Sequence, residues 1–386
     1  TNIATAGAFQ VTAAGSNNAF LAKFNQFGFR QWGTYYGLVL TDGIDVATAP
    51  DGTIVICGQT DIDPSLITVG AYQTVPGDVA DIFISKFDST GNRIWGTYLG
   101  GTNPTAFSPY DEVWGMEIDG TGNIVVAGIT NSVNNIATPG SYQPAWGGNS
   151  QGFICKYDPT GTKLWGTYYG GTAVSGFRGV ALGPLGDIYV TGTGLTNTAK
   201  FSSSGALLWL SGFSRGDAIA VDLNGNAYLT GLVTSFQPSI STPGAYQATV
   251  SGLNDGFVVK LNSNGVVQWG TYFGGPGNET TYGITTDPES NVIIAGSTTS
   301  TTNIATPNAF QSNLVGGGSA FIASFSPSGS PLKISLESIE AKNYGEINKL
   351  FWTLSSAEPG DYIEIERSAD GVNFSRIALI ADLSAG

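Results

Sequence analysis

The chain has 386 residues, a net charge of −14 and only 15 Lys plus Arg. An acidic surface with few cationic side chains repels a phosphate backbone, so we expect neither nucleic acid nor an anionic membrane as a partner. No stretch approaches the ~20 apolar residues of a membrane-spanning helix, and we expect no direct membrane insertion. The sequence contains no histidine, the commonest general base and transition-metal ligand, and we therefore expect no enzyme.

Glycine is abundant, and aromatic residues are common in a chain with only 11% charged residues. This composition is typical of many short strands joined by tight turns, and it predicts an all-β fold. Alternating strands recur in chain order over residues 19–24, 82–87, 152–157, 198–201, 256–261 and 320–325.

A tryptophan follows each of the first five of these strands, four residues after a turn glycine. The pattern Trp-Gly-Thr-Tyr begins at Trp32, Trp95, Trp165 and Trp269, and a weaker copy, Trp-Leu-Ser-Gly, begins at Trp209. After the sixth strand Lys333 stands at the tryptophan position, so the array is predicted to end there.

Hairpins lie between these strand pairs, such as residues 218–231 around Asn224-Gly225. Asn or Asp with Gly between two alternating runs predicts a tight hairpin turn, because glycine accepts the positive φ that the turn needs. Each full unit thus supplies four antiparallel strands, and such units usually stack radially into a β-propeller. The repeated Trp and Tyr side chains are expected to fill the wedge between adjacent blades.

Several segments resemble a known bacterial repeat. "GDAIAVDLNGNAYLTG", "TPGAYQ" and "DGFVVKLNSNGVVQWGTYFGG" are similar to the SBBP-type β-propeller repeat, itself similar to the NHL repeat. The resemblance covers roughly residues 1–335, and it implies a propeller and an exported protein but no single activity. Thr1–Gln10 matches Thr302–Gln311, which lies downstream of the hairpin in a complete unit. We therefore predict six visible blades with the first incomplete, and a seventh is possible.

Residues 336–386 differ in character, with more Lys and Glu and with strands predicted on both sides of an Asp370-Gly371 turn. They resemble the N-terminal part of the fibronectin-like or immunoglobulin-like modules near the C-termini of secreted bacterial proteins, many of them exported by type IX secretion. A complete sandwich normally takes ~100 residues, so we predict a partial β-sandwich domain and a chain that continues. The expected localisation is secreted, either extracellular or on the cell surface.

The connection between the second and third strands is long in most units and missing from the unit between Trp165 and Leu208. Loops on a rigid scaffold often carry function. The aromatic residues of these loops are the candidate ligand-binding residues: Tyr72, Tyr142, Trp146, Tyr246 and Phe310. Because the Gly-Ala-Tyr-Gln core repeats, the alternative is that its Tyr or Phe packs back on its own blade. Trp146 does not repeat, which favours it for surface recognition.

Acidic residues near the start of several inner strands are the candidate metal ligands: Asp42, Asp111, Glu112, Asp217 and Glu279. Around a central channel they could form an oxygen-rich mouth for Ca²⁺, and the alternative is solvated surface charge. No other cofactor is predicted. Cys57 and Cys155 are expected to be buried and unpaired.

The sequence leaves three functional hypotheses open. The first is a non-catalytic structural or adhesive module of the cell surface, whose partners are other extracellular proteins, further copies of itself or glycans. The second is a calcium-dependent carbohydrate-binding propeller. The third and least supported is a polysaccharide hydrolase or lyase, because neighbouring strand residues such as Asp111 and Glu112 point to opposite faces and do not converge.

Overall fold

The structure, a computed structural model, describes residues 3–104, 110–194, 198–213, 215–234, 240–306, 309–329, 335–343, 348–356, 362–368 and 374–381, with side chains described up to residue 329 except at 193 and 194. Within these ranges the regular elements are strands, apart from one short 3-10 turn at Pro64–Leu66.

The strands follow one another with short intervals, as the spacing of turn residues predicts. They are β1 (Ala19–Phe24), β2 (Arg30–Tyr36), β3 (Thr41–Thr48), β4 (Ile54–Asp61), β5 (Ala80–Phe87), β6 (Arg93–Leu99), β7 (Asp111–Ile118), β8 (Ile124–Thr130), β9 (Gln151–Tyr157), β10 (Lys163–Tyr169), β11 (Ser175–Leu182), β12 (Ile188–Gly194), β13 (Ala199–Phe201), β14 (Leu207–Leu210), β15 (Ala218–Val221), β16 (Ala227–Thr234), β17 (Asn254–Leu261), β18 (Val267–Phe273), β19 (Glu279–Thr286), β20 (Val292–Thr298), β21 (Ser319–Phe325), β22 (Ser335–Asn343), β23 (Asn348–Ser356), β24 (Tyr362–Ser368) and β25 (Phe374–Ala381).

These strands form antiparallel blades, which we number in chain order. Blade 1 is the pair β1-β2; blades 2 to 5 are the four-stranded sheets β3–β6, β7–β10, β11–β14 and β15–β18; blade 6 is the three-stranded sheet β19–β21. The innermost strands β3, β7, β11, β15 and β19 lie side by side. The predicted all-β propeller with an incomplete first blade is therefore confirmed.

The hydrophobic core lies between blades as much as within them. One buried cluster joins Val55 and Ile84 of blade 2 to Val113, Met116 and Phe153 of blade 3. Cys57 and Cys155 are both buried and free, as predicted. Burying the two faces of each sheet against its neighbours is what makes one blade depend on the next.

The motif tryptophans join successive blades. The indole Nε1 of each donates to a backbone carbonyl in the hairpin turn of the next blade, at Ser89, Pro159, Ser203, Ser263 and Pro327. The indole ring lies over the turn glycine, since a Cβ at Gly91, Gly161, Gly205, Gly265 or Gly329 would come within 2.7 to 3.0 Å of a ring atom. The predicted wedge role of the tryptophans is confirmed, and it explains why each tryptophan and the turn glycines recur together.

The C-terminal residues form two antiparallel pairs, β22 with β23 and β24 with β25. The strands predicted there are confirmed. Lys333 and the Asp370-Gly371 turn lie outside the described residues. The partial sandwich domain over residues 336–386 stays a prediction.

Candidate recognition rim

In blades 2, 3 and 5 the loop between the second and third strands runs along the outer edge of the fourth strand, and in blade 1 the segment before β1 runs along β2 in the same way. In blade 2 the Thr68 amide donates to the Gly96 carbonyl at 3.0 Å, and the Tyr98 amide donates to the Gln73 carbonyl at 3.1 Å. Equivalent bonds fix residues 5–10, 138–143 and 242–247 in blades 1, 3 and 5. We call residues 3–10, 66–73, 136–143 and 240–247, which contain these segments, the edge loops. They cover the unpaired strand edge, which would otherwise be open to non-specific pairing.

The glycine of the Trp-Gly-Thr-Tyr motif is the residue on which each edge loop packs. A Cβ at Gly33, Gly96, Gly166 or Gly270 would lie 2.2, 2.0, 2.1 or 2.4 Å from a carbonyl oxygen of the loop. The chain that joins the second and third strands of blade 4 is too short for an edge loop, and Leu210 stands at the glycine position of that blade. The motif glycine is therefore present in the blades that have an edge loop and absent from blade 4.

The repeated aromatic residue of each edge loop packs on the next blade. Ring centroids lie 6.2 Å apart in Phe9 with Phe87, 6.3 Å in Tyr72 with Tyr157, 5.7 Å in Tyr142 with Phe201 and 6.1 Å in Tyr246 with Phe325. The sequence left open the alternative that the ring packs on its own blade. Tyr142 makes both contacts, because it also stacks on Tyr169 of its own blade. The recurring contact crosses to the neighbouring blade, because the loop lies on the outer edge of its own sheet.

Trp146 is not as exposed as its lack of repetition suggested. It is partly buried and packs against the cluster that joins blades 2 and 3. Its indole Nε1 is buried without a hydrogen-bond partner. Its large apolar surface therefore stabilises the loop, and Tyr72, Tyr142, Tyr246 and Phe310 are the more exposed aromatics of the five.

Three of these exposed rings line clefts at the rim. Tyr246 and Phe310 line an opening of about 430 Å³ between β21 and the loop of blade 6, at the place that the fourth strand takes in blades 2 to 5. Tyr142 lines a second cleft of about 410 Å³, with Gln143 and the link from blade 3 to blade 4. The rim thus offers aromatic faces beside backbone and amide groups that can hydrogen-bond.

Two of the candidate metal ligands are buried in hydrogen-bond networks. Asp111 accepts from the Ser132 hydroxyl at 2.8 Å, from the Gly101 amide at 3.2 Å and from the Thr130 hydroxyl. Burial raises the pKa of its carboxyl to about 6. Glu279 stands at the same register position of blade 6 and accepts from Thr298 at 2.6 Å, Ser300 at 2.7 Å and Gly275 at 2.8 Å. Each carboxylate thus bonds both to an amide in the link between two blades and to a hydroxyl at the end of a second strand.

The other three candidate ligands do not take part in these hydrogen-bond networks. Asp42 is exposed, Glu112 accepts from the Trp114 indole at 3.1 Å, and Asp217 forms an ion pair with Arg178 at 3.4 Å. Among the residues whose side chains are described, no three His, Cys, Asp or Glu gather as a metal site would require. The structure therefore does not bring the five carboxylates into the oxygen-rich mouth that the sequence suggested.

A row of side chains across the innermost strands was not found from the sequence. The Arg178 guanidinium lies 4.5 Å from the ring centroid of Trp114 in blade 3 and pairs with Asp217 of blade 5. Trp114 and Arg178 are the extra residues of β-bulges in β7 and β11. A non-repeating residue at this repeated bulge is the signal that could have identified them.

Comparison with known proteins supports the propeller. Residues 268–304 match the family model of the SBBP β-propeller repeat. An uncharacterised WD repeat-containing protein of Acanthamoeba polyphaga mimivirus is 25% identical over 242 residues, which cover 51% of this chain and 17% of that protein. The chain is a β-propeller repeat protein. It spans less than a fifth of the length of this curated relative.

Two solved structures are similar over much of their length. Virginiamycin B lyase from Staphylococcus aureus has a TM-score of 0.40 and 13% identity, covering 93% of this propeller chain and 87% of the lyase. A gluconolactonase from Xanthomonas campestris has a TM-score of 0.34 and 17% identity, covering 66% of this chain and 69% of the gluconolactonase.

In the described part of the propeller protein, no helix combines the length and the apolar character required to cross a bilayer.

Proposed function

We propose that this propeller is a non-catalytic structural and adhesive module, extracellular or on the cell surface, that binds protein or glycan partners through the clefts of its rim. The observation that carries the proposal is the half-exposed setting of Tyr142, which packs on Phe201 of the next blade by one part of its ring and is open to a cleft by another.

A ring held in this way suits recognition. Aromatic side chains supply a large contact area and a hydrogen-bonding edge or face at low entropic cost when they are already ordered. Tyr142 lies beside the Gln143 amide, which itself donates to Gln151 at 3.0 Å and accepts from the Gly170 amide at 3.1 Å. The ring and its polar neighbours are thus preorganised before a ligand arrives.

The buried carboxylates support a binding role over hydrolysis. Asp111 and Glu279 occur at equivalent places in two blades, and each is engaged by hydroxyl and amide donors of its own joint. Their positions fit a structural role at the joint between blades.

We expect Tyr142→Ala to weaken binding of the partner by about tenfold or more, because truncating an aromatic residue that is central to an interface costs ~2 kcal/mol or more. The measurement is binding of the purified chain to a panel of polysaccharides and extracellular proteins, with calcium and then with a chelator. Tyr282→Ala, an exposed aromatic on innermost strand β19, is the matched control and should leave binding unchanged.

Saturable binding that is lost in Tyr142→Ala and kept in Tyr282→Ala is the result we expect. Loss of that binding on chelation would add a metal to the site. Binding that Tyr142→Ala retains in full would contradict the proposal.

A further inference from the structure

The link between two successive blades is covered, at most joints, by a long loop of the second of the two blades. Blades 2, 3 and 6 each have a long connection between their second and third strands: residues 62–79, 131–150 and 299–318. In blade 3 the Val133 amide donates to the Thr102 carbonyl of the link from blade 2 at 2.9 Å. In blade 6 the Ser300 hydroxyl accepts from the Gly277 amide of the link from blade 5 at 2.8 Å. In blade 2 the Asp63 carboxylate accepts from an amide of the link from blade 1 in the same way.

The joint between blades 3 and 4 differs in this respect. Blade 4 has no room for such a loop, because only residues 195–198 separate β12 from β13. The link at this joint, residues 170–174, bonds instead to blade 3, where the Gln151 side-chain amide donates to the Gly171 carbonyl at 2.9 Å. The cleft of about 410 Å³ beside Tyr142 lies against this link. Blades 3 and 4 are both complete four-stranded sheets, so whole blades bound the cleft on each side.

The edge-loop ring at this joint also lacks the cation that covers the equivalent rings of blades 1 and 2. The Lys163 Nζ lies 5.3 Å from the ring centroid of Tyr72, and Arg93 covers the corresponding ring of blade 1. Both cations pair with the last residue of the third strand of their own blade. Leu207 takes this register position in blade 4. The Tyr142 ring is 44% exposed, and no cation of blade 4 stands at the position from which it would cover the ring.

The polar groups at this joint are uncharged. At the joints of blades 2 with 3 and 5 with 6, the residue six before the end of the third strand and the first residue of the next innermost strand are both carboxylates: Asp81 with Asp111, and Asp255 with Glu279. At the joint of blades 3 and 4 the same positions hold Gln151 and Ser175. Among the residues whose side chains are described, none that lines the cleft is charged.

We propose, on the basis of the rim function above, that this cleft binds a neutral sugar ring of a polysaccharide. The apolar C–H face of the sugar lies on the Tyr142 ring, and its hydroxyls bond to the uncharged polar groups beside it. A neutral sugar presents an apolar face and several hydroxyls together, which matches a half-exposed aromatic ring beside the Gln143 amide, the exposed Thr172 hydroxyl and the backbone of the link.

The same features exclude charged sugars. A uronic acid needs a cationic partner, which the lining of the cleft does not provide, and the net charge of −14 opposes its approach. An amino sugar would lose part of the hydration of its ammonium group without a carboxylate in the cleft to replace it. The carboxylates that other joints carry are absent here, because Gln151 and Ser175 take their places.

Calorimetric titration of the whole chain with matched neutral and charged glycans tests the ligand class. The ligands are neutral glucans, galactans, mannans and xylans, together with two pairs: N-acetylated and deacetylated chitin oligomers, and methyl-esterified and free oligogalacturonates. At least one neutral glycan should bind saturably, and its Kd should change less than about twofold between low and high salt, because no ion pair is screened. The charged member of each pair should bind about tenfold more weakly than the neutral member, or not at all.

Two substitutions locate this binding in the cleft. Leu207→Lys supplies the cation that covers the ring at other joints, and it should weaken binding of the neutral glycan by about tenfold. Leu208→Lys, the next residue of the same strand and 50% exposed, adds the same charge and should bind like the wild type. Thr172→Lys, at an exposed position of the lining, folds independently of either change and should bring measurable binding of free oligogalacturonate.

Preference for the charged member of a pair, or neutral-glycan binding that Leu207→Lys leaves unchanged in a folded chain, would overturn the proposal. So would the absence of binding to every neutral glycan. If a protein or a charged glycan then binds in a manner that depends on Tyr142, recognition at the rim stands and only the neutral ligand class is wrong. If no partner depends on Tyr142, the recognition function itself is wrong.

Discussion

Replacing Gly166 by alanine should lower the free energy of unfolding by about 3 kcal/mol, the upper part of the range for overpacking a well-filled site. The added Cβ would lie 2.1 Å from the Ile136 carbonyl oxygen of the edge loop and 2.8 Å from the Cys155 sulfur. Neither neighbour is the free end of a flexible side chain, so the loop must leave the strand edge. Urea unfolding followed by tryptophan fluorescence measures the change.

The matched control is Gly171→Ala, five residues later, where a Cβ would meet nothing within 4 Å. It should change the free energy of unfolding by less than about 0.5 kcal/mol. If Gly166→Ala were as mild as Gly171→Ala, the motif glycine would not be needed for loop packing, and its link to the edge loops would have to be abandoned.

Stability should be highest near pH 4 and should fall by about 3 kcal/mol or more by pH 8, because carboxyl groups are buried at the joint between blades 2 and 3. Burial, followed by the charge of Asp111, raises the pKa of Asp81 to about 7 despite the amide hydrogen bonds that it accepts from Gly77 and Asp78. Burial and the charge of Asp45 raise the pKa of Glu117 to about 7.

The direction follows from proton binding. These groups have a higher pKa in the folded chain than in the unfolded chain, so the folded state holds more protons. Their contribution is fully present below about pH 4 and is lost as the pH rises through 6 to 7. Hydrogen bonds to hairpin-turn carboxylates act oppositely, since those from Thr90 and Asn92 lower the pKa of Asp88 to about 2. That contribution is lost only in stronger acid, which places the maximum near pH 4.

Thermal unfolding at pH 5, 6.5 and 8 checks this profile. Asp81→Asn should reduce the fall between pH 5 and 8, because the amide has no proton to lose, whereas Asp42→Asn at an exposed site should leave the profile as it is. A wild-type melting temperature that rises from pH 5 to pH 8 would show that the joint carboxyls do not control stability.

The blades could be predicted from the sequence because their signals are local. Alternation sets most of the strands, and a residue with positive φ, such as Gly225 at 76°, sets the hairpin turns. The tryptophan wedge was also predictable, since a tryptophan such as Trp95 and a turn glycine such as Gly161 recur at fixed places in the first five units. A repeated large ring needs a repeated surface to cover it.

The parts that could not be predicted are contacts between units. Repetition alone does not say whether Tyr72 packs on its own blade or on Tyr157 of the next, because both blades have the same sequence pattern. The register of the acidic residues was also hidden. Asp111 is the first residue of β7, whereas Asp217 lies just before β15, so residues that look equivalent in the sequence pattern do not share a level in the structure.

The decisive experiment on the proposed function is to follow a polysaccharide or protein partner found in the binding panel during prolonged incubation with the purified chain, measuring bound ligand and ligand chain length together. We expect saturable binding that falls in Tyr142→Ala, with ligand length unchanged and no new reducing ends, unsaturated ends or peptide termini. Ligand cleavage that increases with the concentration of the chain would contradict a non-catalytic role and would make the propeller an enzyme.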